Sequence, residues 1–373
     1  MFIRGVGTAT PKARYTKAEC LQAFEQSDWF GRLDARAHFI ARSVLQRDNG
    51  IDARRLAVDT LGEVFAIDPD TLSQRFARHA PQLAADAARR ALAAAGLAAQ
   101  QIDGVVVSTC TGSLCPGLSG HVVERLGLRH DVMALDLVGQ GCGAALPNME
   151  LGWTLLGSGR CAHVLSVCVE VSSAAMYLDN DPGVLISACL FGDGAGAAVL
   201  SRSAGTSGTT GTTGTAGTAG NAGTSGATGR RIEWMDSASL IEPAQRDALK
   251  FEQRQGLLRN VLTRAVPALA ADFAQQVQNT VLARAGVDIG DIQAWILHAG
   301  GRDVLQAVQR RFDLPPEALR YSAAMLREYG NLSSAFVYFV LQAALADRAP
   351  PGWWWLSAFG AGFACHGALL AVQ

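Results

Sequence analysis

The stretch LDLVGQGCGAALPNMELGWTLL, Leu135–Leu156, runs from an apolar strand pattern into a glycine-flanked cysteine and on into an apolar helical pattern. Strand, tight turn, nucleophile and helix in that order make a nucleophile elbow. Gly141 and Gly143 permit the strained turn that exposes the Cys142 sulfur, and the positive end of the following helix favours its thiolate. Pro147 then falls in the first helical turn, where a missing N–H costs nothing. On this segment alone, an inert buried thiol in a glycine-rich turn is an equally good reading.

Helices and strands alternate on both sides of this elbow. QLAADAARRALAAAGL predicts a helix over Pro81–Leu97 that closes on a glycine cap, and the β-branched run Ile102–Thr109 predicts a strand after it. A helix near Gly120–Leu126 and strands Val132–Val138, His163–Val169 and Ala195–Leu200 continue the pattern. Buried strands between helices predict an α/β protein with a largely parallel, covered sheet. Ala349–Gln373 has three tryptophans and no charged residue, long enough to span a bilayer. Four glycines and Pro351 divide it, so Trp353–Phe359 and Phe363–Val372 read as buried strands around a turn and no membrane span is expected.

FGDGAGAAVL at Phe191–Leu200 and FGAGFACHGALL at Phe359–Leu370 each place Phe-Gly-x-Gly before a strand, which points to two related α/β halves meeting around one site. Between them, Ser201–Gly229 holds only small residues besides Arg202 and Asn221, with glycine at every third position from Gly205. Without proline the period does not make a collagen helix, so the tract reads as a flexible surface insertion. The expected organisation is residues 1–200 as a half bearing the cysteine, 201–229 as the insertion, and 230–373 as the second half.

With 32 basic and 33 acidic residues in 373, the chain has no electrostatic footprint for nucleic acid or an anionic membrane. A small-molecule partner fits better. Its eight cysteines lie mostly in apolar stretches with no CxxC pair and no Cys/His cluster at metal spacing, so no metal is expected. The first twenty residues lack a signal-peptide pattern, and a cytoplasmic location follows.

Two further segments can carry chemistry. AWILHAGGRDVLQAV, Ala294–Val308, puts His298 at the end of an apolar strand before two glycines, and EYGNLSSAFVYFVLQAAL, Glu328–Leu345, puts Asn331 on a glycine turn before an apolar helix. Taken singly, a strand-end histidine satisfies backbone groups and an asparagine caps a helix.

Together the three segments resemble the type III polyketide synthases, the chalcone and stilbene synthase family, over nearly the whole chain outside the insertion. The resemblance rests on Gln140-Gly141-Cys142, on His298-Ala299-Gly300-Gly301, on Tyr329-Gly330-Asn331-Leu332-Ser333-Ser334-Ala335, on Leu190-Phe191-Gly192-Asp193-Gly194, and on the run Cys110–Leu128. It implies a thiolase fold, two related halves layered αβαβα, and a homodimer. It implies an acyltransferase that loads an acyl group from an acyl-CoA onto Cys142 and extends it with malonyl-CoA by decarboxylative condensation, with no cofactor beyond these coenzyme A thioester substrates. The expected product is an alkylpyrone, an alkylresorcinol or a similar aromatic polyketide.

The chemistry suits the residues. A thiolate both attacks a thioester and leaves well, and His298 beside it would hold it as an ion pair. His298 and the Asn331 amide can donate to the oxygen that becomes negative when malonyl-CoA loses carbon dioxide.

The resemblance also places Phe191 as an aromatic gatekeeper and Cys110, Thr111, Cys115, Ser172, Ala175, Ser187 and Gly301 about the substrate. A second aromatic gatekeeper expected after Gly256 is missing, with Leu258 and Arg259 in its place. Small side chains at Ala175 and Ser187 predict a roomy cavity that takes a fatty acyl starter. Arg42, Arg47, Arg54 and Arg55 are the candidates for the coenzyme A phosphates. Two other readings stand beside this one: a β-ketoacyl-acyl-carrier-protein synthase III-like enzyme with the same fold and triad, and a catalytically silent partner subunit, against which the intact triad argues.

Overall fold

The principal strands are β1 (Phe2–Ala9), β2 (Gly104–Ser108), β3 (Met133–Leu137), β4 (His163–Glu170), β5 (Gly194–Ser201), β6 (Ile232–Ile241), β7 (Ile292–Leu297), β8 (Gly352–Gly360) and β9 (Ala364–Val372). The principal helices are α1 (Ala35–Gln46), α2 (Pro69–Ala95), α3 (Ala145–Gly157), α4 (Pro182–Leu190), α5 (Val266–Ala285), α6 (Arg302–Arg311) and α7 (Phe336–Ala346). The computed structural model describes residues 1–204 and 229–373, so the glycine-periodic tract lies almost wholly outside the described residues.

The nine strands lie in the order β7-β8-β9-β6-β1-β5-β4-β2-β3. Only Phe2 and Glu233 join β1 to β6, and that pairing divides the sheet into two sets. The sets repeat one arrangement. In each, the first strand pairs antiparallel with the last (β1 with β5, β6 with β9), the last pairs antiparallel with its predecessor (β5 with β4, β9 with β8), and that predecessor runs parallel to the second strand (β4 with β2, β8 with β7). The second set has no counterpart of β3 among the described residues. Since β5 and β9 follow the two Phe-Gly-x-Gly segments, the sequence repeat and the topological repeat coincide.

The sheet is mixed, which corrects the largely parallel sheet expected from the sequence. Periodicity reports burial, and strands buried on both faces read as continuous apolar runs whichever way their neighbours point.

Helix α2 covers β1, β5 and β4, helix α5 covers β9, β6 and β8, and α3 and α7 pack between the two sets. That makes five layers, helix–sheet–helix–sheet–helix. The middle position explains why α7 (FVYFVLQAALA) has no polar stripe: Phe336–Leu341, Ala344 and Leu345 are all buried. Helix α2 begins twelve residues before Pro81, because the Asp68 carboxylate caps the Thr71 N–H at 2.9 Å, and it ends on left-handed Gly96 as expected. The tryptophan-rich C-terminal stretch forms the β8/β9 hairpin, with Trp354 and Trp355 fully buried. Among the described residues, no helix is long and apolar enough to cross a membrane.

Candidate active site

Cys142 sits in a tight turn, Gly141–Gly143, directly ahead of α3. Gly141 adopts φ +55°, which disfavours a side chain. A Cβ at Gly143 would lie a tight 3.2 Å from the Gly360 nitrogen, and one at Gly360 would collide with the Gln140 carbonyl oxygen, so the turn packs against the end of β8 through Gly360. Pro147 lies in the first turn of α3.

His298 follows β7 and is buried, its ring edge-on to Phe336 at 5.6 Å and to Phe359 at 5.5 Å. Its Nδ1 has no partner among the described residues. Asn331 precedes α7. Its Oδ1 accepts the Ser333 N–H at 2.8 Å and its Nδ2 donates to the Gly300 carbonyl at 3.2 Å, which fixes the amide and leaves one N–H to spare. The Asn331 N–H donates to the Leu190 carbonyl and its own carbonyl accepts from Gly192, both at 2.9 Å. Through this bridge the asparagine and Phe-Gly-Asp-Gly segments hold each other in place.

Cys142, His298 and Asn331, together with Gly301, Ser187, Phe191 and Phe359, line one channel of about 720 Å³. Ser333 donates its hydroxyl to Cys142 Sγ at 3.1 Å. The Cys142 thiol is held well below the usual thiol range, first by a hydrogen bond from the Cys110 thiol and then by His298 as both donor and neighbouring charge, against the opposing effect of burial. Cys110 goes the other way: the bond to Cys142, burial and the Glu170 carboxylate keep its proton on. The surroundings thus favour the thiolate on Cys142, with the Cys110 thiol as its donor.

Beneath both lies Glu170, fully buried at the end of β4. It accepts from Thr111 Oγ1 (2.9 Å), the Cys110 N–H (3.1 Å), Thr109 Oγ1 (3.2 Å) and Ser334 Oγ, while Ser333 Oγ (3.3 Å) and Cys110 Sγ (3.4 Å) lie beside it with their protons turned to Cys142. Burial raises its pKa and these donors oppose the rise. Sequence reading missed this residue, although a lone acid closing an apolar strand, HVLSVCVE, was a usable signal.

A second chamber opens past Phe191, lined by Cys110, Thr111, Ser172, Ala175, Ser187 and Phe191 as expected, and by Asn260 and Ser333, which were not. The expected roomy cavity is not built. Met176, Tyr177 and Phe251 also line the chamber, and about 40 Å³ stays open, enough for a few waters. Cys115 reaches neither cavity. It is exposed among the described residues, in the loop before the helix Leu118–Leu126.

The four arginines expected at the coenzyme A phosphates are not on the channel. Arg42 pairs with Glu25 at 2.7 Å and Arg55 with Glu328 at 3.2 Å, while Arg47 is exposed at the end of α1. Arg54 is buried under α4, donating to the Ala188 carbonyl at 2.7 Å and the Phe191 carbonyl at 3.1 Å. Helical geometry explains the miss: Arg36, Phe39, Ile40 and Val44 share the face of α1 that meets the channel, and Arg42 lies about 120° round from Arg36. The cations on the channel are Arg36, Arg264 and Arg302.

Residues 8–211 match the model of the FAE1/type III polyketide synthase-like proteins, and residues 237–371 match that of the C-terminal domain of chalcone and stilbene synthases. The chain is 28% identical to a 3,5-dihydroxyphenylacetyl-CoA synthase of Streptomyces toyocaensis over 92% of this chain and 83% of that one. It is 26% identical to an alpha-pyrone synthesis polyketide synthase-like protein of Mycobacterium tuberculosis over 99% and 91%. The fold superposes on the 1,3,6,8-tetrahydroxynaphthalene synthase of Streptomyces coelicolor with a TM-score of 0.83 at 22% identity, covering 100% of this chain and 99% of that one. It superposes on a brown-algal enzyme of Ectocarpus siliculosus with a TM-score of 0.82 at 24% identity, covering 99% and 97%. The chain belongs to the type III polyketide synthases, acyltransferases of the thiolase fold that condense coenzyme A thioesters.

Proposed function

We propose that Cys142 carries the growing acyl chain and that His298 and Asn331 drive decarboxylation of the extender. The observation that carries this reading is the convergence of all three on one channel, beside a thiol whose surroundings favour the thiolate. The Cys142 thiolate attacks the acyl-CoA carbonyl, and the coenzyme A sulfur leaves and takes up a proton. Malonyl-CoA then loses carbon dioxide, and the electron pair of the broken C–C bond passes to the thioester oxygen. His298 and the spare Asn331 N–H donate to that oxygen. Losing one such donor costs about 3–4 kcal/mol of barrier. The resulting carbon nucleophile attacks the acyl-Cys142 carbonyl, which forms the new C–C bond and returns the thiolate.

No step in this cycle calls for a metal or prosthetic group. Arg36, Arg264 and Arg302 are the candidate partners of the coenzyme A phosphates, in place of the arginines first expected. The narrow chamber past Phe191 favours a short chain that cyclises to a pyrone or a dihydroxyphenyl product over one carrying a long alkyl tail. Among the relatives, a 3,5-dihydroxyphenylacetyl-CoA synthase and an alpha-pyrone synthesis protein match these two ring types. We also take residues 1–200 and 230–373 as the two halves, a homodimer as the working unit, and the cytoplasm as its place, in keeping with eight free thiols.

The test is peptide mass spectrometry after brief mixing with acetyl-CoA or phenylacetyl-CoA, then product analysis with malonyl-CoA. An acyl adduct on Cys142 and products growing by two-carbon units are expected. Products without an adduct on Cys142 would overturn the assignment.

A further inference from the structure

Three polar atoms lining the chamber past Phe191 have no hydrogen-bond partner among the described residues: Ser172 Oγ, Ser187 Oγ and Asn260 Oδ1. Ser187 is 4% exposed. The wall is apolar at Leu56, Met176, Val184, Ala188, Phe191 and Phe251, and the hydroxyls of Thr111, Ser173 and Ser333 on it are already bonded to Glu170, Asp193 and Cys142. Buried polar groups are ordinarily paired, so unpaired ones facing an open space mark what that space receives.

Two of the three occupy a particular place. Ser187, Asn260 and Phe191 line both the channel from Cys142 and the inner chamber, so they form the neck between the two. Asn260 reaches it from the hairpin Leu249–Arg254/Leu257–Leu262, opposite Phe251. The adjacent Arg259 turns the other way and pairs with Glu252 at 3.0 Å and with Asp179 and Asp181 at 3.2 Å, which clamps the hairpin to the segment leading into α4.

We propose that Asn260 is a specificity-determining residue of the condensation, binding with Ser187 the keto and enol oxygens of the growing chain at the neck and disfavouring a plain alkyl segment there. The proposal rests on chain growth from Cys142. A β-dicarbonyl unit presents a carbonyl acceptor and, in its enol form, an O–H donor. Asn260 Oδ1 can accept the enol proton, while the Ser187 hydroxyl can donate to the neighbouring carbonyl. A methylene chain offers neither and would leave both groups dry and unpaired. It is the polarity of residue 260 that matters in this account, and its size is secondary.

The experiment compares Asn260→Leu, which keeps size and removes polarity, with Asn260→Ser, which keeps polarity and removes size. Ser187→Ala is run beside them. Products from malonyl-CoA with acetyl-CoA or hexanoyl-CoA as starter are sorted by number of extensions. Asn260→Leu and Ser187→Ala should each lower the ratio of products with three or more extensions to those with fewer by about tenfold, the worth of one hydrogen bond of ordinary strength. Asn260→Leu should also raise use of hexanoyl-CoA against acetyl-CoA, and Asn260→Ser should stay near wild type. A spectrum that is unchanged in Asn260→Leu, or that shifts in Asn260→Ser alone, overturns the proposal. Absence of an acyl adduct on Cys142 in the wild type would instead remove the reading on which it rests.

Discussion

The Ser333 hydroxyl donates to the Cys142 sulfur across 3.1 Å. Ser333 comes from the turn before α7 and Cys142 from the turn before α3, so the two middle-layer helices meet at the nucleophile. The hydroxyl acts on charge. It favours the thiolate, as do Cys110 and His298, while burial disfavours it.

Removing either neighbouring donor should therefore raise the Cys142 pKa. In Cys110→Ala and Ser333→Ala, the pH at which iodoacetamide reacts with Cys142 at half its maximal rate should move up, by about one to two units for loss of a hydrogen bond to a charged group. Cys110→Ala should shift it further, because its bond is the largest lowering influence on the thiol. Rates measured across pH check this, and an unshifted profile in both variants would remove the donors from the account.

Cys142→Ala should abolish chain extension, since no other thiol on the channel can hold the acyl group. Cys142→Gln should keep malonyl-CoA decarboxylation, because its side-chain carbonyl imitates a bound acyl group. Carbon dioxide release and product formation, measured separately, distinguish the two steps.

His366 lies behind Gly143, with its Nδ1 2.7 Å from Ser239 Oγ, and burial lowers its pKa to about 4. The folded protein therefore holds it neutral, while the unfolded chain protonates it near pH 6.5. The stability this represents is present above about pH 6.5 and is lost as pH falls through 4, roughly 3–3.5 kcal/mol in all. His366→Gln should flatten that part of the profile. Urea unfolding at pH 7.5 and 4.5 gives the comparison.

Strand β3 ends the sheet, with its outer edge unpaired among the described residues, and Val138 just beyond it is 67% exposed. Such an edge favours pairing with another chain. The protein should run as a dimer in light scattering after gel filtration, and Val138→Lys should shift it toward monomer.

Cys142, His298 and Asn331 were legible as candidates because glycine turns beside chemically active side chains are short-range signals, but each also had an ordinary structural reading, and only the three motifs taken together singled them out. The Phe-Gly-x-Gly repeat likewise carried the two-halves reading, since each copy sets up its own strand. Strand direction, the identity of the neck residue and the cations on the channel were not legible in this way. Each depends on which distant segments meet. Glu170 gathers donors from segments about 60 and 164 residues away, and Asn260 meets Phe191 through a clamped hairpin. The arginines are the plainest case: sequence shows that α1 carries several, but only its packing against the channel selects Arg36 and turns Arg42 aside. The chemistry was thus written in short motifs, while the space around it was decided by packing between residues far apart in the chain, where side-chain volume and direction have no local signature.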